Sequence, residues 1–103
     1  MLEVSEGNLE EEVKEGLVVV DFWGPGCKPC ASLGVMLDAL AVEYEERIRF
    51  VKINVEDCPR TTRKFTIRGL PTVLLFKDGK PVKQTVGLRS KAEMRKLLDS
   101  FCR

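Results

Sequence analysis

The segment Leu17–Trp23 constrains the fold more than any other part of the sequence. It is apolar at both odd and even positions and rich in β-branched residues, which is typical of a β-strand covered on both faces. Only Asp21 interrupts the apolar run. Because such a strand needs helices above and below its sheet, the segment predicts an α/β fold class.

Four other segments carry the signals of helices, namely apolar residues at helical spacing, a capping residue or an early proline. They run from Asn8 to Gly16, from Cys27 to about Glu46, from Pro59 through a short turn, and from Ser90 to Phe101. Two of them open with the spacing of a capping box, formed by Asn8 with Glu11 and by Ser90 with Glu93.

Strand-like segments alternate with these helices along the chain. They are Leu2–Val4, Leu17–Trp23, Ile48–Val55, Thr72–Phe76 and Val82–Val86. The alternation predicts parallel pairing in the first half of the sheet, and the Asp78-Gly79 turn predicts an antiparallel hairpin at its end. The 103 residues are therefore expected to form one domain, residues 1–103, with a mixed central sheet and helices on both faces.

Composition excludes several classes of function. The chain has no histidine, so it has no Ser-His-Asp triad, no Cys-His pair and no histidine-ligated metal. Its net charge is +1, which argues against a nucleic-acid partner. No apolar run reaches the roughly 20 residues that span a bilayer, and the first residues do not read as a secretory signal. We therefore expect no membrane partner and a cytoplasmic location.

The motif Cys27-Lys28-Pro29-Cys30 lies between the buried strand and the first turn of the long helix. Free N–H groups and the positive end of the helix dipole favour a thiolate at Cys27, which is expected to reach solvent. Cys30 lies one turn along and is expected to point towards the core. An exposed thiol of lowered pKa beside a buried thiol is the arrangement of a dithiol-disulfide couple.

Two other interpretations of this motif compete. A structural zinc site usually needs a second Cys-x-x-Cys pair or histidine ligands, and the remaining cysteines, Cys58 and Cys102, are isolated. A purely structural disulfide would close too short a loop to restrict the unfolded chain much. Cys58 gains some help from a helix N-terminus, but adjacent acidic residues oppose its ionisation, so we predict a bystander thiol, with a regulatory thiol as the alternative. Cys102 is expected to pack or to have no role, and no metal site is predicted.

The segment Trp23–Cys30 resembles the active-site segment of thioredoxins, Trp-x-x-x-Cys-x-Pro-Cys. Further segments resemble the same family in order and at family spacing. They are Val20–Trp23, Lys52–Glu56, Arg68–Thr72, Phe76–Gly79 and Val86-Gly87. The resemblance therefore covers essentially the whole chain.

This resemblance implies a thioredoxin fold, with a sheet of about five strands in the order 1-3-2-4-5 and about four helices. It also implies a disulfide reductase of protein substrates. Cys27 would attack a substrate disulfide, Cys30 would resolve the mixed disulfide, and the Cys27–Cys30 couple would need no other cofactor. An external reductase, usually a flavoprotein in the family, would restore the dithiol. The chain is expected to act as a monomer.

The resemblance also assigns roles to residues whose strand positions leave them open. Burial would raise the pKa of Asp21, which suits a base that takes the proton of Cys30, although a strand-end carboxylate reaching solvent is the alternative. Lys52 is its expected ionic partner, because it shares one face of the next strand with Phe50 and Ile48. The alternative for Lys52 is an ordinary surface lysine.

Other residues are expected to form the substrate surface. Trp23 would shape the loop as well as pack, and Pro29 lies within the motif itself. The resemblance implies a cis bond at Pro71, with Leu70 offering main-chain groups to an extended substrate. Gly87 would let substrate approach, or would merely end a strand.

Two positions within the active-site segment depart from the family pattern. Gly26 stands where thioredoxins commonly carry a second tryptophan, so we expect a flatter substrate surface and a more mobile loop. Lys28 stands where glycine is usual, and a cation beside a thiolate predicts a somewhat less reducing couple.

An oxidase or isomerase of thiols on the same fold, and a non-catalytic binding module, remain the alternative functions.

Overall fold

The segment Leu17–Trp23 forms the central strand of a five-stranded sheet in a computed structural model that describes residues 1–102. Elements are numbered in chain order. They are β1 (Leu2–Glu3), α1 (Leu9–Val13), β2 (Leu17–Trp23), α2 (Lys28–Glu43), β3 (Ile48–Asn54), α3 (Pro59–Lys64), β4 (Thr72–Lys77), β5 (Lys80–Val86) and α4 (Lys91–Phe101). The predicted alternation of strands and helices is confirmed.

The strand order is β1-β3-β2-β4-β5, as the resemblance implies. Parallel pairs join β1 to β3 and β3 to β2, whereas β4 runs antiparallel to both β2 and β5. This is a mixed sheet of the thioredoxin fold. β2 is paired with β3 from Leu17 to Trp23 and with β4 from Leu17 to Phe22, so its carboxyl end is held in place by the sheet.

The two faces of β2 enter two separate cores, as its continuous apolar run predicts. The core on the side of α1 and α3 contains Val4, Leu9, Val13, Val18, Val20, Phe22, Val51, Ile53, Cys58, Leu74 and Phe76. The core on the side of α2 and α4 contains Val19, Leu33, Leu37, Leu40, Tyr44, Ile48, Phe50, Val73, Leu75, Met94 and Leu98. Asp21 shares the second face with Val19, so it lies beneath α2.

The predicted end of the long helix is wrong by three residues. The helix stops at Glu43 instead of about Glu46, because Tyr44 leaves the helical conformation and is buried. Its hydroxyl donates to the Asp99 side chain of α4. Tertiary packing of this ring outweighs the local helical pattern. Three strand limits differ from prediction by one residue and the start of β5 by two.

One predicted capping box is confirmed and the other is wrong. The Ser90 side chain accepts from the Glu93 N–H, and the Glu93 side chain accepts from the Ser90 N–H. The Asn8 side chain instead donates to Ser5, and Glu11 pairs with Lys14, so neither caps α1. Among residues 1–102, no helix has both the length and the apolar character to cross a bilayer.

Candidate active site at the carboxyl end of β2

The chain turns sharply between the end of β2 and the start of α2, and Cys27 is the N-cap residue of that helix. Its Sγ accepts a hydrogen bond from the Cys30 N–H, with 3.2 Å between the two atoms. Its own N–H donates to the Gly24 carbonyl. Pro29 lies in the first turn, where a missing N–H costs nothing. A sulfur therefore takes the position that serine or aspartate usually fills at a helix start.

Cys27 and Cys30 are joined by a disulfide, with their Cα atoms 5.2 Å apart. Cys27 is partly exposed, whereas Cys30 is buried. The predicted arrangement, in which one sulfur faces solvent and the other lies behind it, is confirmed. Cys58 and Cys102 are free thiols.

The Asp21 carboxyl group lies under the start of α2 and is only 1% exposed. One of its oxygens, Oδ1, has no hydrogen-bond partner among the described residues. Burial raises the pKa of Asp21 to about 7, while the positive charge of Lys52 opposes that rise and the negative charges of Asp38 and Glu3 add to it. A carboxyl group with this pKa can take up or release a proton near neutral pH.

Lys52 is the register partner of Asp21 across the parallel ladder of β2 and β3. The expected ion pair is not formed as a contact, since no N–O distance of 4.0 Å or less joins these two side chains among residues 1–102. The Lys52 ammonium lies instead 5.7 Å from the centroid of the Trp23 ring. The indole face attracts the cation, so Lys52 acts on Asp21 through space and not by contact.

A hollow of about 320 Å³ connects these groups. Asp21, Lys52, Trp23 and both cysteines of the motif line it. Sequence analysis missed the lining contributed by the α2 side chains Ala31, Val35 and Asp38 and by Met1. The α2 residues could have been found from their spacing, because positions 31, 35 and 38 lie on one face of the helix. The first of them directly follows Cys30.

The loop before β4 approaches the motif from the other side. The Leu70–Pro71 peptide bond is cis, as the resemblance implies. Leu70 packs against Gly24, where an added Cβ would lie 3.0 Å from the Leu70 Cδ1 atom. The Gly87 N–H, just after β5, donates to the Pro71 carbonyl at 2.8 Å. The structure thus brings the end of β5 and the Leu70–Pro71 loop to the same edge as the end of β2.

The comparisons with known proteins agree with this geometry. The Thioredoxin family model matches residues 1–100. A thioredoxin of Staphylococcus haemolyticus is 34% identical over 96% of this chain and 95% of its own length. Thioredoxins of two strains of Staphylococcus aureus are 33% identical over the same shares.

The chain belongs to the thioredoxin family. Thioredoxins are thiol-disulfide oxidoreductases, and the Cys27–Cys30 disulfide is the redox-active pair of this one. The family assignment and the disulfide in the structure together favour this function over the zinc and binding-module interpretations. No group of three or more potential metal-ligating side chains occurs within residues 1–102.

The two departures within the active-site segment, Gly26 and Lys28, are both exposed. Gly26 has a φ of +77°, a conformation that L-residues with side chains rarely adopt. The local backbone therefore favours glycine at this position and disfavours the tryptophan that many thioredoxins have. Lys28 is the first residue of α2, directly follows Cys27 in the chain and is exposed.

Cys58 lies at the N-terminus of α3, but the expected help from that helix is not available to its sulfur. The side chain makes no capping hydrogen bond, and its Sγ points towards the Val4 carbonyl at 3.9 Å. Burial raises the pKa of Cys58, and the negative charge of Glu6 adds to the rise. A buried thiol of raised pKa is inert, which agrees with the predicted bystander role.

Proposed function

We propose that Cys27 is the attacking thiol and Cys30 the resolving thiol of a protein-disulfide reductase. The observation that supports this order is the difference in exposure. Cys27 is accessible at the helix start, whereas Cys30 is buried one turn further along. A substrate sulfur can approach only the first of the two.

The proposed reaction transfers two electrons in two exchanges. The Cys27 thiolate attacks one sulfur of the substrate disulfide, so a Cys27–substrate bond forms as the substrate disulfide breaks. The departing substrate sulfur takes a proton. Cys30 then loses its proton and attacks the Cys27 sulfur, which releases the second substrate thiol. The substrate is reduced and the Cys27–Cys30 disulfide is formed.

Asp21 is the proposed acceptor of the Cys30 proton. Both side chains line the same hollow, which is large enough for water to carry a proton between them. The burial that raises the pKa of Asp21 to about 7 lets the carboxylate act as a base at neutral pH. Lys52 is a positioning residue in this scheme, because its charge keeps the pKa of Asp21 from rising further.

The proposed substrate surface surrounds the Cys27 sulfur. On one side it consists of Trp23 and of three exposed residues in the turn and the first helical positions, namely Gly26, Lys28 and Pro29. On the other side it consists of Leu70, Pro71 and Gly87. An extended substrate segment would pair with main-chain groups next to Pro71, in the manner of strand addition.

The proposal extends to partners and location. A reductase must return electrons to the Cys27–Cys30 disulfide after each turnover. We expect this reductase to be a flavoprotein, as the reductases of the family usually are. We place the protein in a reducing compartment, the cytoplasm, because its dithiol must be kept reduced to act as a reductant. We propose that it works as a monomer with no cofactor beyond its own cysteine pair.

A trapping experiment tests the order of attack. Cys30→Ser removes the resolving thiol, so the reduced variant mixed with insulin should accumulate a covalent adduct at Cys27. Peptide mapping by mass spectrometry identifies the position. Cys27→Ser is the matched control and should form no such adduct. An adduct at Cys58 or Cys102, or none with Cys30→Ser, would contradict the proposed order.

A further inference from the structure

The exposed face of α2 differs from that of an ordinary surface helix. The inner stripe of this helix, formed by Cys30, Leu33, Leu37 and Leu40, is buried. A second line, which we call the outer stripe, consists of Ser32, Val35, Ala39 and Val42. Positions in the two stripes differ by two residues, or about 200° around the helix, so the outer stripe faces away from the sheet.

The outer stripe is uncharged and open to solvent. Val35 is 74% exposed and Val42 is 71% exposed. Asp38 borders the stripe, where it pairs with the N-terminal ammonium of Met1. A helix that is apolar on two opposite faces normally has both of them covered.

Helix stability does not account for the two valines. β-Branched residues are poorer helix formers than alanine, lysine or glutamine, and at exposed positions no packing compensates for the loss. Neither side chain belongs to one of the two cores formed by residues 1–102. A contact made by the outer stripe with another molecule would explain their presence.

The position of the stripe indicates which molecule that is. Its first valine, Val35, lines the hollow together with Cys27 and Cys30, so the stripe is continuous with the redox site. From there it extends to Val42, about 10 Å further along the helix at 1.5 Å per residue. A protein whose disulfide is in contact with Cys27 could therefore cover it in the same encounter.

A second copy of this chain is a less suitable occupant. Stable interfaces use roughly 20 to 30 residues on each side, whereas the outer stripe provides four small side chains. Such a patch is too small to hold a dimer by itself, but it can enlarge a contact that is anchored at the cysteines.

We propose that the outer stripe of α2 is a docking surface for protein disulfide substrates, which cover Val35 and Val42 with apolar side chains while their disulfide reacts with Cys27. This inference rests on the proposed function of the dithiol. It adds a recognition surface that protein substrates contact. A small disulfide bound at Cys27 does not extend to this surface. The stripe should therefore influence the rate of reaction with proteins and not the chemistry of the sulfurs.

The test compares a protein disulfide with a small one. The fully reduced chain is mixed with insulin or with 5,5′-dithiobis(2-nitrobenzoate), and a second-order rate constant is measured for each. The double variant Val35→Gln/Val42→Gln keeps the charge and uses a better helix former than valine. The ratio of the insulin to the small-disulfide rate constant should fall by about fivefold to tenfold.

Val82→Thr is the matched control, since Val82 is an exposed valine on β5 outside the hollow and the outer stripe. Its ratio should equal that of the unaltered chain. A ratio within twofold for the double variant, or equal losses on both disulfides, would overturn the docking surface. A dimer that the double variant dissociates in sedimentation would assign the stripe to a second copy and would also overturn it. Failure of the unaltered chain to reduce either disulfide would instead refute the proposed function.

Discussion

Two helices of this chain begin in almost the same way and yet place their cysteines in opposite environments. Cys27 is the N-cap residue of α2 and Cys58 is the N-cap residue of α3, and each is followed by a proline in the first turn. In α2 the N–H of the third helical residue, Cys30, donates to the Cys27 sulfur. In α3 the equivalent N–H, that of Thr61, donates to the Glu6 side chain at 2.8 Å.

This difference explains why the sulfur of Cys27, and not that of Cys58, is suited to thiol-disulfide exchange. At α3 a carboxylate already occupies the positive end of the helix, and the Thr61 N–H holds the pKa of Glu6 below its usual value. The Cys58 sulfur is turned into the core, where burial raises its pKa. A helix N-terminus therefore activates a thiol only when the sulfur itself receives the free N–H groups.

The largest expected effect is the difference in activity between replacing Cys27 and replacing Cys58. Cys27→Ser should lower protein-catalysed reduction of insulin by dithiothreitol by more than about a thousandfold, because a hydroxyl is a far weaker nucleophile than a thiolate. Cys58→Ser should stay within about twofold of the unaltered chain, since Cys58 takes no part in the exchange. The turbidity of precipitating insulin chains measures both rates. Comparable losses in the two variants would remove the distinction between the helices.

The second prediction concerns Asp21, the buried carboxyl group that shares the hollow with Cys27 and Cys30. The pKa of Asp21 is raised, whereas that of Glu6 is lowered. The Asp21 pKa is raised from 3.8 to about 7 in the folded protein. The folded state therefore holds a proton that the unfolded state releases between about pH 4 and pH 7. The stability that this proton provides is complete below pH 4 and is lost as the pH rises towards 7.

Asp21→Asn removes this loss, so it should raise the free energy of unfolding at pH 8 by as much as about 4 kcal/mol, given 1.36 kcal/mol per pKa unit. The same change should have little effect at pH 4. Urea denaturation of the oxidised proteins at the two pH values measures the difference. An equal gain at both would show that burial of the charge is not the cause.

Thiol reactivity sharpens the comparison directly. In the reduced protein at pH 7, iodoacetamide should modify Cys27 about a hundredfold faster than Cys58, because reactivity follows exposure and thiolate fraction. Mass spectrometry of digests resolves the two sites and Cys102. If position 27 proved no more reactive than 58 or 102, the activated thiol at α2 would be excluded.

The smallest expected effect comes from the cation next to Cys27. Lys28→Gly removes a positive charge that favours the thiolate and hence the reduced form, so the couple should become more reducing. Lys28 is exposed and screened by salt, so we expect a change of at most about 30 mV. Equilibration with glutathione buffers measures the potential. An unchanged or higher potential would mean that the neighbouring charge does not tune the pair.

Much of the fold could be predicted because local pattern and tertiary structure agree in it. The run Leu17–Trp23 predicted a strand covered on both faces, and β2 lies between two cores. Ser90 and Glu93 predicted a capping box that is present. The end of α2 was misplaced because the buried ring of Tyr44, which reaches α4, decides it. Nothing in the local spacing reports a contact with a residue so distant in sequence.

The sequence predicts the parts of the candidate site that lie within one continuous segment. It does not predict the contacts between segments that are distant in the chain. The placement of Cys27 and Cys30 follows from a strand, a turn and a helix that are adjacent in the chain. The relation of Lys52 to Asp21 depends on where the Trp23 ring lies, which the pattern of alternating faces does not specify. The hydrogen bond at the start of α3 likewise depends on Glu6, which reaches the Thr61 N–H from before α1.

The backbone at Gly26 has a consequence for how sequences of this kind can diverge. An added Cβ would meet no atom of residues 1–102 within 4 Å, so crowding at the Cβ is not the obstacle to a side chain here. The obstacle is the positive φ, which costs residues other than glycine on the order of 1–2 kcal/mol. An aromatic lid could therefore not be acquired here by a single favourable exchange. The turn would first have to relax through changes at flanking positions, and the order of those steps limits which descendants are reachable.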